Sequence, residues 1–129
     1  MAKKVLYVED EEFFAKIISK QLSGMGYEVT TEPDGEAGLK AVERETFDLI
    51  FLDLILPNLG GFDILKKLKE NDKTKGIPVV ILSNLSSEED KRKANELGAE
   101  KFCVKMSTYP QQVAEIAKKI LDAPKTAEA

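Results

Sequence analysis

Short aliphatic and β-branched runs alternate along the chain with stretches whose apolar residues recur every three or four positions. Residues 5–8, 27–31, 49–52, 79–82 and 101–104 predict five strands. Between them Phe14, Ile17, Ile18, Leu22 and Met25 keep helical spacing, as do Phe62, Leu65 and Leu68. Val113, Ile116, Ala117, Ile120 and Leu121 do the same after the last strand, so each of these helices carries one core-facing stripe. Start signals agree: Ser86-Ser87-Glu88-Glu89 fits a capping box, and Thr108-Tyr109-Pro110-Gln111 fits another with Pro in the first turn. Gly24, Gly26 and Gly98 punctuate helix ends.

Five strand-helix alternations predict a doubly wound α/β domain, (βα)5, because parallel neighbours need crossover connections and these are nearly always right-handed. The third and fourth strands are almost uninterrupted apolar runs, which places them at the sheet centre, covered on both faces. The fourth helix, over residues 86–97, is different. Only Ala94 and Leu97 are clearly apolar, and residues 88–93 are all charged. Its hold on the core is expected to be weak and its position mobile.

Composition narrows the function classes. The 129 residues carry 19 Lys and Arg against 23 Asp and Glu, a net charge of −4, with 43% hydrophobic and 33% charged residues. That balance fits an ordered single domain, expected over residues 1–122, with a polar tail or linker start at 123–129. The chain has no histidine, which removes His-ligated metals and catalytic triads that need imidazole. One cysteine, Cys103, precludes an internal disulfide, and no signal-peptide pattern opens the chain, so a cytoplasmic location is expected. No apolar stretch approaches the roughly 18 residues of a membrane span, so membrane insertion is not expected. The longest basic run is Lys91-Arg92-Lys93, so direct nucleic-acid binding is not expected either.

The chemistry sits where strands end, since open parallel sheets bind ligands beyond the carboxyl ends of their strands. After the first strand comes Glu9-Asp10-Glu11-Glu12, which repels free phosphate and attracts a cation. The third ends in Asp53, an acid for which an apolar central strand has no evident structural use. If these strands are neighbours, Glu9, Asp10 and Asp53 converge; two such charges about 4 Å apart repel by roughly 4 kcal/mol at an effective dielectric of 20. An all-oxygen set of this kind suits a hard cation, Mg²⁺ in particular. Ser83 after the fourth strand and Lys105 after the fifth bring a hydroxyl and an ammonium to the same edge. Glu9, Asp10 and Asp53 balance Mg²⁺ plus Lys105, which describes a phosphoryl-transfer site with Asp53 as nucleophile.

These residues carry a resemblance: over positions 3–121 the chain is similar to the CheY-like receiver domain of two-component response regulators. Asp10, Asp53, Ser83 and Lys105 follow one another at intervals that fit that family, and Asp53 lies in Leu52-Asp53-Leu54-Ile55-Leu56-Pro57. The resemblance implies a flavodoxin-like strand order 2-1-3-4-5. It also implies that Asp53 accepts a phosphoryl group from a histidine kinase or phosphotransfer protein, with Mg²⁺ on Glu9, Asp10 and Asp53. Ser83 and Lys105 would hold the phosphoryl oxygens, and a shift of Ser83 would be coupled to rotation of Phe102. Output would then pass through the face of the fourth helix, fifth strand and fifth helix, to a docked partner or through a phosphorylation-linked dimer. Such a domain catalyses only its own phosphorylation and dephosphorylation.

Two departures stand out. Met106 follows Lys105 where the family usually has a cis proline, and a non-proline cis bond costs about 2.5–4 kcal/mol, so a trans bond is expected here. Asn84 replaces the small residue common after the hydroxyl. They leave open a second reading, a receiver-like interaction module not driven by phosphorylation. A phosphatase of the haloacid dehalogenase type would want a second acid two residues beyond Asp53, and Ile55 stands there. Ile55 and Leu85, each two residues past a site residue, are apolar and are expected to exclude hydrolytic water and prolong the phosphorylated state.

Overall fold

The computed structural model describes residues 2–122; the expected tail at 123–129 lies outside them. Five strands, β1 (Lys4–Val8), β2 (Glu28–Glu32), β3 (Leu49–Leu52), β4 (Val79–Ser83) and β5 (Lys101–Val104), alternate with five α-helices. The helices are α1 (Glu12–Ser23), α2 (Gly35–Arg44), α3 (Gly61–Glu70), α4 (Glu88–Glu96) and α5 (Pro110–Leu121), and a 3₁₀ turn, Lys105–Ser107, joins β5 to α5. All pairings are parallel and the order is β2-β1-β3-β4-β5, the doubly wound sheet expected from the alternation. No helix among the described residues is long and apolar enough to cross a membrane.

Successive strand residues point to opposite faces, so each central strand feeds two cores. Val5, Tyr7, Leu49, Phe51, Val80 and Leu82 pack with Ile18 and Leu22 of α1 and with Val113, Ala117 and Leu121 of α5. Leu6, Val8, Ile50, Leu52, Val79 and Ile81 face the other way, onto Ala41 and Val42 of α2, Ile64, Leu65 and Leu68 of α3, and Ala94 of α4. Fully burying one such aliphatic side chain contributes about 1.5–3 kcal/mol, so α3 is fastened by three residues and α4 by one alanine, half-buried Leu97 beyond its end packing alongside. The weak apolar hold expected for the fourth helix is present.

Several boundaries move. β2 starts one residue later than expected, leaving Tyr27 half-buried before it, and Met25 is an exposed residue past the end of α1 rather than part of its stripe. Both capping motifs start one residue further on. The N-cap of α4 is Ser87, whose Oγ accepts from the Asp90 amide at 3.1 Å, and the Tyr109 amide at the head of α5 donates to Gln112 Oε1 at 2.7 Å. Thr108 instead donates its hydroxyl to the Val104 carbonyl at 2.8 Å, so it secures the turn before α5 rather than the helix itself. Repeated candidate side chains made the register of these caps ambiguous in sequence, and the packing of each helix selected one.

One glycine bears directly on the site. A Cβ at Gly61 would collide with the Asp53 carbonyl oxygen and Leu54 Cα, so only glycine lets the start of α3 press against the backbone that carries Asp53. The Gly61 amide donates to the Leu54 carbonyl at 3.1 Å across this contact.

Candidate functional site

Strand register delivers the site residues to one edge. Val8 lies beside Leu52, so the next residues, Glu9 and Asp53, leave adjacent strands side by side. Tyr7, Phe51 and Cys103 all face the α1/α5 core, and Glu9, Asp53 and Lys105 each follow one of them by two residues. Period-two alternation therefore turns all three toward the same side of the sheet. There they meet: Lys105 Nζ lies 2.8 Å from Asp53 Oδ2 and 2.8 Å from Glu9 Oε1. All three are buried, with 2–4% of their surface exposed.

Charged groups this deep need complete partnering, and they have it. Tyr7 donates its hydroxyl to Glu9 Oε1 at 2.7 Å, and the Glu11 amide donates to Glu9 Oε2 at 3.1 Å. Asp53 Oδ1 accepts the Ile55 amide at 3.0 Å while Oδ2 takes Lys105, so both its oxygens are held. The third N–H of Lys105 goes to Glu11 Oε1 at 3.1 Å, and the ammonium also stands 4.7 Å from the centre of the Phe14 ring.

The pKa shifts follow from that arrangement. Burial pushes the Glu9 carboxyl above its ordinary 4.5, with the neighbouring Asp53 charge adding to the rise and the bonds from Lys105 and Tyr7 opposing it. Burial alone would pull Lys105 down, but its bonds to Asp53 and Glu9 outweigh it, so the ammonium is held charged above its usual range. The Tyr7 phenol is pushed up by burial and then by Glu9, and stays a donor.

Glu9, Asp10 and Asp53 each offer a carboxylate oxygen within 4.8 Å of the others, Asp10 from an exposed position. Three oxygen donors with no sulfur or nitrogen fit a hard divalent cation, and they agree with the set expected from sequence. The expected charge balance needs correction, because Glu11 also reaches Lys105: Glu9, Glu11 and Asp53 contact the ammonium and Asp10 stands beside Glu9 and Asp53, four carboxylates to one ammonium. A divalent ion leaves that cluster negative rather than neutral.

Ser83 reaches the same edge but the opposite side of the sheet. It follows Ile81, which faces the α2/α3/α4 core, and is fully buried there. Its hydroxyl accepts the Leu85 amide at a long 3.5 Å, and it is not bonded to Lys105 or Asp53. Phe102, paired in register with Ile81, lies on this same side, half-buried against the core that includes Ala94. Ile55 is 53% exposed at the rim and Leu85 half-buried. The Lys105–Met106 bond is trans, as expected without proline.

Two participants were not singled out from sequence. Tyr7 reads there as a core residue, and its signal was the two-residue spacing to Glu9 together with the rule that a buried hydroxyl finds a partner. Glu11 was one acid among four; only the structure separates it, with a bond to Lys105, from Glu12, which opens α1.

Comparison with known proteins agrees with this geometry. Residues 5–118 match the family described as response regulator receiver domain. The alkaline phosphatase synthesis transcriptional regulatory protein PhoP of Bacillus subtilis is 38% identical over 121 residues, covering 94% of this chain and 49% of that protein. The chain thus spans about half the length of the first curated relatives it matches. Among solved structures, chemotaxis protein CheY4 of Vibrio cholerae superposes with a TM-score of 0.87 at 29% identity, covering 94% of this chain and all of that one. A phosphorylated cyanobacterial phytochrome response regulator, RcpA, gives 0.88 at 29% identity, covering 97% and 98%.

Proposed function

This chain belongs to the response regulator receiver domain family, and we propose that it is a phosphoacceptor of two-component signalling, taking a phosphoryl group on Asp53. Receiver domains are signalling domains rather than conventional enzymes; histidine kinases phosphorylate them and an acidic pocket binds Mg²⁺. The observation that carries the reading for this chain is the buried Asp53–Lys105 pair at 2.8 Å with Glu9 and Asp10 alongside. That RcpA has been solved in phosphorylated form on the same fold supports it.

An Asp53 oxygen attacks the phosphorus of a phosphohistidine on a kinase or phosphotransfer protein. The new P–O bond forms as the P–N bond breaks, and the nitrogen keeps the electron pair and takes a proton from solvent. Glu9, Asp10 and Asp53 would hold Mg²⁺, which would supply charge neutralisation for the phosphoryl oxygens. The bond from the Ile55 amide fixes the plane of the Asp53 carboxylate, and Lys105, kept charged by its neighbours, meets the negative charge that arrives. Releasing Glu11, the most exposed of its three partners, frees an N–H for a phosphoryl oxygen at the least cost. Ser83 supplies a second donor by moving toward the site, and Phe102, on the same side of the sheet, follows. The signal then leaves through α4, β5 and α5, to a protein partner or a second copy, in the cytoplasm.

The test is intact mass after incubation with acetyl phosphate, with Mg²⁺ or excess EDTA, for the wild type and Asp53→Asn. Gain of one phosphoryl group with Mg²⁺ and Asp53 both present is expected. No gain in any condition overturns the reading in favour of a phosphorylation-independent interaction module. Replacing Ile55 and Leu85 by Asn and Gln is expected to speed loss of the phosphoryl group severalfold, followed by the decay of intact mass after desalting; an unchanged decay removes their water-excluding role.

A further inference from the structure

The 3₁₀ turn that carries Lys105 is poorly anchored by packing. Met106 is 84% exposed, and the turn's own bonds are local, Thr108 amide to Lys105 carbonyl at 3.4 Å and Thr108 hydroxyl to Val104 carbonyl at 2.8 Å. Past the Ser83–Val104 pairing that closes the β4–β5 ladder, a side-chain bond across 22 residues ties the turn to the segment after β4: the Met106 amide donates to Asn84 Oδ1 at 2.9 Å. Asn84 directly follows Ser83, and the next amide, of Leu85, already contacts the Ser83 hydroxyl. The bond needs an N–H at position 106 and an acceptor at 84, and Met and Asn supply them.

From these contacts, and resting on the phosphoacceptor reading above, we propose that Asn84 is a positioning residue for Lys105. Its side chain fastens the turn bearing the ammonium to the segment bearing the Ser83 hydroxyl. The two groups that would hold phosphoryl oxygens, which approach from opposite sides of the sheet, then keep a set spacing. The tie matters most at the moment of transfer. In the resting site Lys105 is moored by Glu9, Glu11 and Asp53; when it turns one or more N–H groups to a phosphoryl oxygen those moorings loosen, and the Asn84 bond still holds the turn beyond the end of the strand ladder. When Ser83 moves, the same bond carries that movement to the exposed Met106 and Tyr109.

Asn84→Leu removes the acceptor with little change in size, Met106→Pro removes the donor, and Asn84→Asp and Met106→Ala keep both. Hydrogen exchange of the Met106 amide in unphosphorylated protein is expected to quicken about fivefold in Asn84→Leu, the loss of one hydrogen bond, and to stay near wild type in Asn84→Asp. The rate of phosphorylation by acetyl phosphate with Mg²⁺ is expected to fall about threefold in Asn84→Leu and in Met106→Pro, and no further when the two are combined, because both break one bond. Met106→Ala is expected to react as the wild type does. Unchanged amide exchange in Asn84→Leu, or single effects that multiply in the double variant, overturns the proposal. If the wild type takes up no phosphoryl group, the phosphoacceptor reading fails, and the amide exchange still decides whether Asn84 holds the turn.

Discussion

β3 and β5 end at the same edge of the sheet and supply the two halves of one ion pair, yet they are held on different terms. Every residue of β3 from Leu49 to Leu52 is fully buried, with β1 on one side and β4 on the other, and Gly61 lets α3 lie directly on the backbone that follows. β5 is an edge strand paired only with β4, with Lys101 exposed and Phe102 and Val104 half-buried, and it runs into a turn whose Met106 faces solvent. The helix beside it buries a single alanine. A nucleophile gains from a base that cannot shift, whereas groups that must respond to an arriving charge are best placed where few contacts resist movement. Asp53 sits on the first kind of support, and Lys105 and Phe102 on the second.

The largest effect should come from the strands themselves. Phe51→Ala, in the closed centre, is expected to cost about 3–5 kcal/mol in urea denaturation, and Phe102→Ala roughly 1–2 kcal/mol because its ring is already partly in water. Equal costs would break the contrast. Next comes the cation. Mg²⁺ at a hundredfold excess over its dissociation constant should stabilise the wild type by about 2.7 kcal/mol, and Phe102→Ala by as much, because the acidic set belongs to the rigid side. Asp10→Asn should lose most of that gain, measured as the shift in unfolding midpoint on adding Mg²⁺.

A smaller effect, in pH, tests the burial of Glu9. Its folded pKa is raised above 4.5, so between those values the folded protein holds a proton that the unfolded chain has released. The Glu9 contribution to stability should therefore grow as the pH falls from neutral toward 4.5 and level off below it. Denaturation without Mg²⁺ at several pH values should show the wild type gaining on Glu9→Gln as the solution is acidified; a constant difference would mean that Glu9 is not desolvated as its position requires.

The strands and the α1 and α5 stripes were legible because burial on a strand or helix face imposes a period that a linear sequence displays. Ile18, Leu22, Val113 and Ala117 are core residues both by spacing and in space. Asp53 was legible for the opposite reason, as an acid at the end of an apolar run. Cap positions at Ser87 and Tyr109 were legible only to within one residue, since a repeated side chain offers each pattern twice, Ser86 beside Ser87 and Gln111 beside Gln112. The role of Glu11 was not legible, because it depends on the distance to Lys105, brought in from 94 positions away, and Tyr7, two residues before its partner Glu9, was masked by a run of core residues.

Local order therefore determined much about this protein: five strand-helix units, two central strands, and an acid, a hydroxyl and an ammonium each placed at a strand end. Periodicity and charge are properties of neighbours along the chain, and they survive being read in one dimension. Tertiary structure alone decided which strand lies beside which, and with it the side of the sheet each group faces. Register and alternation turned Glu9, Asp53 and Lys105 into one buried cluster while setting Ser83 and Phe102 on the other side. Those relations join residues up to 96 positions apart, where spacing along the chain carries no record of distance in space.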